Sequence, residues 1–207
     1  MRKSIIVLGL LLNIVHILHA QEGRRIRFTM VLEPSISWMK SDIKNVESLG
    51  TLPGYNFGVK MDRFFGENYA FATGLTINTA GGKLQYPAVG TTPTQNQTYR
   101  LKYIEVPLGL RLRSDDIRRV NIYGRFGLSP QLNIKSSDGN GDGIDKEVRP
   151  FDLGYHLGGG IEYSLGGRNA LMLGIVFHNG FIDITKRSGF DDKAIHNRFV
   201  FEMGFIF

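Results

Sequence analysis

The sequence predicts an all-β fold class, an eight-stranded antiparallel up-and-down transmembrane β-barrel that follows an N-terminal signal peptide. Three observations support this prediction. Apolar and polar residues alternate with a period of two in eight separate segments, as in strands that have one apolar face. The connections between these segments are alternately long and short. The chain also ends on an alternating aromatic segment whose last residue is Phe207.

The first residues have the composition of a secretory signal peptide. A basic start and an apolar run from Ile5 to Leu12 precede the small residue Ala20. The apolar run is too short for a helix that spans a membrane, so we favour a signal peptide over a membrane anchor. We therefore assign residues 1–20 to a signal peptide and residues 21–207 to one outer-membrane β-barrel domain.

Composition excludes several classes of protein and site. The chain has no cysteine, which excludes disulfides, thiolate metal sites and a lipidated cysteine anchor. It has 25 basic and 19 acidic residues, and the predicted signal peptide contains two of the basic ones. The remaining excess is small and is spread over strands and turns, unlike the basic clusters that bind nucleic acids. We predict no nucleic-acid partner and no cofactor.

The first three predicted strands alternate clearly. Strand one, Ile26–Trp38, has aliphatic and aromatic residues at its even positions, and its Pro34 predicts a bulge or a kink because proline cannot donate a ladder hydrogen bond. Strand two covers Gly54–Phe64, and strand three covers Tyr69–Asn78. A polar connection is predicted at residues 81–97 before the next strand.

Strand four contains the clearest alternation, from Tyr103 to Arg113. Its even positions from Ile104 to Leu112 are all aliphatic, whereas its odd positions include Glu105 and Arg111. A period of two places these two sets on opposite faces of a strand. A soluble sheet would expose the polar face to water, whereas a membrane barrel would turn that face into its lumen.

The last four predicted strands continue the pattern to the C-terminus. They cover Val120–Lys135, Phe151–Leu165, a segment around Leu171–Phe177, and Arg198–Phe207. The long connections are predicted at residues 40–53, 81–97, 136–149 and 185–195, and the short ones at 65–68, 114–119 and 166–168. This asymmetry is typical of outer-membrane barrels, which have short periplasmic turns and longer external loops.

The alternation alone leaves the direction of each face open. A soluble lipocalin-like barrel that binds a small ligand would bury the apolar column, and it remains an alternative. The opposite column is rich in Gly, Ala and Ser, which favours a narrow lumen, and aromatic residues near the strand ends favour membrane girdles. Phe201, Phe205 and Phe207 resemble a C-terminal assembly signal. We predict a bacterial outer-membrane location, with outer-membrane lipid and the barrel assembly machinery as partners.

The predicted lumen contains charged residues of both signs. An eight-stranded barrel of the OmpA/OmpX type has an interior that side chains can fill. Charges remain there only when they are paired and hydrogen-bonded. We therefore predict an ion-pair network that closes the lumen. Its predicted members are Glu33, Lys60, Asp62, Glu105, Arg111, Arg125, Asp152, Glu162, Arg198 and Glu202.

One connection contains a weak calcium-site pattern. Asp138, Asn140 and Asp142 supply oxygen ligands at alternate positions, as at the start of an EF-hand loop. Arg149 stands where that loop needs a bidentate glutamate, and no helical pattern flanks the segment. We interpret the segment as an external loop and predict no metal site.

Several motifs resemble the PorT-like family of outer-membrane barrels from Bacteroidetes. The strand Tyr103–Arg113 carries this resemblance, together with residues 123–127 (Tyr-Gly-Arg-Phe-Gly), 158–167 and 179–181 (Asn-Gly-Phe). The resemblance implies a link to type IX secretion or gliding, with other envelope or secretion-system proteins as partners. The family has no established catalytic residues, so the resemblance implies none here.

An enzyme that modifies lipid A is the main functional alternative. His156 and His178 lie on the predicted lumen face of neighbouring strands, and with Glu162 they could suggest acid–base chemistry. The sequence has no Gly-x-Ser-x-Gly nucleophile motif and no clear Ser/His/acid set near the outer rim. We therefore predict a non-enzymatic barrel with a structural or an accessory and assembly role.

Overall fold

The computed structural model describes residues 26–41, 46–88, 93–186 and 194–207. The predicted signal peptide lies outside these residues. The described strands are β1 Ile26–Ser41, β2 Glu47–Gly50, β3 Leu52–Phe64, β4 Tyr69–Tyr86, β5 Gln95–Glu105, β6 Leu108–Arg113, β7 Val120–Ser137, β8 Phe151–Gly166, β9 Asn169–Gly180 and β10 Ala194–Ile206. A single turn of 3₁₀ helix covers Asp145–Glu147. No helix in the described ranges is long and apolar enough to cross a membrane.

The sheet closes on itself as an antiparallel barrel. β1 pairs with β3 on one side and with β10 on the other, which joins the first strand to the last. β5 and β6 are two parts of one barrel strand between β4 and β7, interrupted at Val106 and Pro107. Proline has no N–H to continue the ladder at that point. With β2 as a short addition beside β4, the described strands form an eight-stranded barrel, and the predicted fold class is confirmed.

The apolar faces of the strands point outward. Leu108 and Phe126 are 51% and 44% exposed, whereas Glu105 and Arg125 are 3% and 5% exposed. This inside-out arrangement suits a barrel whose solvent is lipid. A soluble barrel requires the opposite orientation, so the lipocalin-like alternative is wrong.

Aromatic side chains form two belts on the outer wall. At the end with the short connections, which we call the turn end, Phe28 stacks on Phe207 with ring centroids 6.1 Å apart. At the opposite end, which we call the loop end, Trp38 packs against Phe199 at 5.5 Å, and Phe177 packs against Phe199 at 5.1 Å. Aromatic rings prefer the head-group level of a membrane, so the belts mark its two surfaces.

The strands extend further at the loop end than the sequence predicts. β4 continues to Tyr86 and β5 begins at Gln95, so both ends of the predicted connection at 81–97 are strand. The predicted connection at 40–53 contains β2 in the same way. The predicted bulge at Pro34 is wrong, because the pairing of β1 keeps one register on both sides of this residue.

A small apolar core fills the loop end of the barrel. We call this cluster the apolar cap, and its buried members are Met39, Val46, Leu84, Tyr86, Tyr99, Leu101, Tyr103, Val148, Ile184 and Ala194. Backbone hydrogen bonds join its loops, since Arg149 donates to Ile184 at 2.9 Å and Ile184 donates to Ala194 at 3.0 Å. The cap thus packs ordered connections over the lumen.

Candidate functional site: the barrel lumen

The lumen between the turn end and the apolar cap is densely filled, and its many polar side chains surround a small apolar cluster that includes Met172. All ten residues predicted for the ion-pair network point into it, and each is at most 8% exposed. In the described part of the chain, six carboxylates and four cationic side chains of Lys or Arg are buried. Arg27 and Arg113 reach in from the rim and are 15% and 22% exposed. The two signs of charge are therefore nearly balanced.

The first cluster of ion pairs lies towards the turn end. Arg111 on β6 donates to Glu162 on β8 at 2.6 Å and to Asp62 on β3 at 3.1 Å. Arg27 on β1 donates to the other oxygen of Glu162 at 2.8 Å. The guanidinium carbon of Arg111 also lies 4.0 Å from the ring centroid of Tyr123, within cation–π range. These contacts join strands that are not neighbours in the barrel wall.

The second cluster crosses the middle of the bore. Lys60 on β3 donates to Glu33 at 2.5 Å and to Glu202 on β10 at 2.6 Å. Arg125 on β7 donates to the same oxygen of Glu202 at 2.5 Å. The Tyr123 hydroxyl donates to the other oxygen of Glu202 at 2.7 Å. Charge-assisted bonds of this kind are about twice as strong as neutral ones, so the cluster links β1, β3, β7 and β10 firmly.

The third cluster lies towards the loop end. Glu105 on β5 accepts hydrogen bonds from Arg198 on β10 and from Asn78 on β4. Gln131 accepts a further bond from Arg198 at 3.4 Å. Nδ1 of His178 lies 3.8 Å from the second carboxylate oxygen of Glu105. These contacts close the bore below the apolar cap.

Asp152 is the member of the predicted network that stands apart. It is fully buried in the lumen, but within the described ranges it forms no ion pair and accepts no side-chain hydrogen bond. Arg198, the cation on the same side of the lumen, pairs with Glu105 instead. The structure therefore brings nine of the ten predicted residues into ion pairs, but not Asp152.

Several lumen contacts involve residues outside the predicted network. Arg113 lies 3.5 Å from Glu162, and Tyr123 and Asn78 each donate to a network carboxylate. Each of these residues stands at an inward-facing position of an alternating strand, and this position is the sequence signal that indicates a lumen contact. A tyrosine in the polar column, in particular, indicates a hydroxyl that needs a buried partner.

A serine and two histidines meet in the third cluster. The Ser129 hydroxyl lies 2.9 Å from Nδ1 of His156 and 3.4 Å from Nδ1 of His178. In a catalytic triad the histidine uses one ring nitrogen for the nucleophile and the other for the acid. Here a single nitrogen, Nδ1 of His178, faces both Ser129 and Glu105, so the arrangement differs from that of a triad. Ser129 and His156 are also about 1% exposed beneath the cap, away from any membrane lipid.

One cavity within the described part of the lumen is very small. A cavity of about 10 Å³ lies between the second and third clusters, and Glu33, Lys60, Glu105, Arg198 and Glu202 are among its lining residues. That volume is close to the minimum for one water molecule. The cavity is therefore too small for a hydrated ion or an organic ligand.

The weak calcium pattern forms a backbone turn. Oδ1 of Asp138 accepts hydrogen bonds from the backbone amides of Asn140, Gly141 and Asp142 at 2.8, 2.8 and 2.9 Å. An aspartate that caps its own turn in this way is common in loops. Among the described residues no group of three or more His, Cys, Asp or Glu side chains is arranged to hold a metal ion.

The C-terminal phenylalanines lie on the outer wall. Phe201, Phe205 and Phe207 are each between 40% and 44% exposed, in phase with the apolar column. Phe205 is directly opposite Met30 across the seam where β10 meets β1. The proposed assembly signal therefore sits on the strand that closes the barrel.

Comparison with known proteins identifies the family. Residues 19–186, well over half of the chain, match the family described as outer membrane protein beta-barrel domain. The chain belongs to this family. Its members lie in the bacterial outer membrane, which confirms the predicted location.

Solved structures with a similar fold are also outer-membrane proteins. Neisserial surface protein A is 14% identical with a TM-score of 0.53, over 86% of this chain and 95% of that chain. OprG from Pseudomonas aeruginosa is 12% identical with a TM-score of 0.48, over 88% of this chain and 94% of that chain. At such low identity the likeness to neisserial surface protein A supports the fold alone. No curated protein gave a significant match.

Proposed function

We propose that the protein is a non-enzymatic outer-membrane barrel with a structural or accessory role, which acts through its surfaces and not through its lumen. One observation carries this proposal: three ion-pair clusters cross the bore beneath the apolar cap. A filled bore leaves the outer wall, the loops and the two ends for contact with partners.

The energetics of the lumen support a permanently closed bore. To open it, the protein would have to separate buried ion pairs such as Arg125–Glu202 and Arg111–Glu162. Breaking one buried pair by removal of a partner typically costs about 3–5 kcal/mol. Several such losses together exceed the stability of an ordinary domain, so spontaneous opening is disfavoured.

The proposed partners are outer-membrane lipid, the barrel assembly machinery and other envelope or secretion-system proteins. The exposed Phe201, Phe205 and Phe207 on the closing strand support recognition by the assembly machinery. The resemblance of the strand motifs to the PorT-like family supports a role linked to type IX secretion or gliding. Isolation of the protein together with components of that system is the expected consequence.

Planar-bilayer recording tests the closed lumen. The purified mature chain is inserted into the bilayer, and we expect no large, stable conductance step. Fluorescence of the single tryptophan, Trp38 in the loop-end belt, verifies insertion in parallel liposome samples. A reproducible open channel in correctly inserted protein would overturn the proposal.

Two measurements on cells test the role. Tagged protein is isolated from detergent-solubilised outer membrane, and co-purified proteins are identified by mass spectrometry against a tagged unrelated barrel. We expect specific enrichment of envelope or secretion-system proteins. Lipid A from cells that lack the gene is analysed alongside, and an altered acylation pattern would favour the enzymatic alternative.

A further inference from the structure

A group of cationic side chains lies on the outer wall at the loop end. We call it the basic wall patch, and its members are Lys83, Arg100, Lys102 and Lys135 on β4, β5 and β7. Leu84 and Leu101 are buried, so alternation turns Lys83, Arg100 and Lys102 outward. Lys135 reaches the same face through the register shift in the pairing of β5 with β7, which leaves both Ile134 and Lys135 exposed before the buried Ser136. The patch therefore faces the membrane surface that surrounds the barrel.

The side chains that the structure describes leave the patch without a counter-ion. Within the described ranges, none of its four side chains forms an ion pair or a side-chain hydrogen bond. Lys102 and Lys135 are direct cross-strand partners, and like charges in such pairs destabilise a sheet. An anion bound between the strands would remove this repulsion.

The position of the patch matches the head-group level of the membrane. The backbone amide of Tyr55 donates to the Thr79 hydroxyl at 2.8 Å, and Thr79 is the direct partner of Lys102. Tyr55 also stacks against Phe57 with centroids 6.2 Å apart, as part of the loop-end aromatic belt. From Lys102 towards the turn end, the next outward-facing residue of β5 is Ile104, which belongs to the apolar wall. Lys102 thus stands at the boundary between acyl chains and head groups.

A groove on the outer wall combines charge with apolar surface. Its volume is about 470 Å³, and Arg100, Lys102 and Lys135 line it together with Leu52, Pro53 and Tyr55. Arginine binds phosphate through two parallel hydrogen bonds, and lysine contributes a compact charge. The apolar residues offer a surface to the sugar or acyl part of the same molecule. This combination fits an amphipathic anion better than free phosphate.

We propose that the basic wall patch binds the phosphorylated head group of an outer-leaflet lipid. Arg100, Lys102 and Lys135 contact the phosphate oxygens, and the acyl chains lie along the apolar wall below. The long connections of outer-membrane barrels face the cell exterior, which places the patch in the outer leaflet. The inference rests on this location and not on the closed lumen, so its test is independent of the conductance experiment.

Binding to bisphosphorylated lipid A tests the proposal. The mature chain is placed in phosphatidylcholine nanodiscs, and lipid A is titrated against dephosphorylated lipid A and against inorganic phosphate. The test variant combines Arg100→Gln, Lys102→Gln and Lys135→Gln. The matched control removes the same types of charge elsewhere on the surface with Lys40→Gln, Arg119→Gln and Lys146→Gln.

We expect the test variant to bind lipid A roughly 100-fold more weakly than the unmodified protein, since each interfacial cation contributes about a five-fold factor. The control variant should keep its affinity, and dephosphorylated lipid A should bind weakly to all three proteins. Equal affinities of test and control variants would overturn the proposal. Competition by millimolar inorganic phosphate would instead indicate a free-phosphate site, which also contradicts it.

A second variant separates binding from folding. Arg100→Lys keeps the charge but loses the bidentate geometry, and we expect a several-fold loss of lipid A affinity in a barrel of unchanged stability. Both variants should show the heat-dependent gel migration of a folded barrel. A loss of affinity that occurs only together with a loss of this migration would count against the lipid site.

Discussion

The ammonium nitrogen of Lys60 lies 2.6 Å from a carboxylate oxygen of Glu202 in the middle of the lumen. The same nitrogen lies 2.5 Å from Glu33, so one cation joins acids from β10 and β1. Glu202 has a second cation in Arg125. Glu33 has no other ion pair in the described part of the chain, which makes Lys60 the residue that compensates its charge.

Removal of Lys60 should destabilise the barrel strongly. We expect Lys60→Met to lower the free energy of unfolding by about 3–5 kcal/mol, because it leaves a buried carboxylate without a counter-ion. Urea titration in liposomes, followed by Trp38 fluorescence, measures the change. The control Lys40→Met lies on the exposed face of β1 and should cost less than about 0.5 kcal/mol. The second substitution Glu33→Gln should recover part of the loss, and no recovery would contradict the assignment.

Gly174 leaves the space that Tyr123 occupies. A Cβ atom added at Gly174 would clash with the Tyr123 hydroxyl and lie 2.8 Å from the carbonyl oxygen of Gly159. We expect Gly174→Ala to cost roughly 1–3 kcal/mol through overpacking. Gly124→Ala is the matched control, because its Cβ would meet no atom nearer than 3.9 Å. Unfolding curves of both variants measure the difference.

The cost of Gly174→Ala has two sources, the Tyr123 hydroxyl and the Gly159 carbonyl, and a second substitution can separate them. Tyr123→Phe in the Gly174→Ala background removes the oxygen that the new methyl group meets, although it also removes the hydrogen bond to Glu202. We expect the two substitutions to couple favourably in a double-mutant cycle. Strict additivity would show that the clash lies only with the Gly159 carbonyl.

The barrel wall was predictable because lipid imposes the same requirement on every strand. In the membrane the outer face must be apolar, which makes the alternation clear. β3 therefore ends at Phe64 as predicted, and β7 begins at Val120 as predicted. Beyond the acyl chains of the membrane this requirement ends, and polar residues alternate with Leu84 and Tyr99 on β4 and β5. The hydrophobic signal weakens there, and the predicted strands stopped too early.

The lumen was predictable in membership but not in pairing. Alternation alone assigns Glu202 and Arg125 to the inner face. Their contact at 2.5 Å depends on how far each strand is shifted along the barrel axis, and this shift joins residues far apart in sequence. The same dependence explains why Arg198 pairs with Glu105 and leaves Asp152 without an ion pair.

Charge on the outer wall should cost more in the middle of the membrane than at its surface. Leu173 lies on β9 between the two aromatic belts and is 53% exposed, whereas Leu165 lies near the turn end of β8 and is 49% exposed. We expect Leu173→Arg to cost about 2–4 kcal/mol and Leu165→Arg about 0–1 kcal/mol. Unfolding in liposomes measures both, and equal costs would contradict the assigned depth.

The apolar cap should hold the long connections without being needed to close the bore. Leu84 is fully buried in the cap, so Leu84→Ala should lower stability by about 2–5 kcal/mol. Leu49→Ala is the matched control, since Leu49 on β2 is 42% exposed. Limited digestion with trypsin after Lys146, in the connection between β7 and β8, measures the opening of the cap.

Faster cleavage of the Leu84→Ala variant than of the control is the expected result. The ion pairs of Glu105 and Glu202 lie below the cap and do not involve Leu84. Bilayer recordings of Leu84→Ala should therefore stay as silent as those of the unmodified protein. A channel that opens when the cap is weakened would show that the loops, and not the buried charges, keep the bore closed.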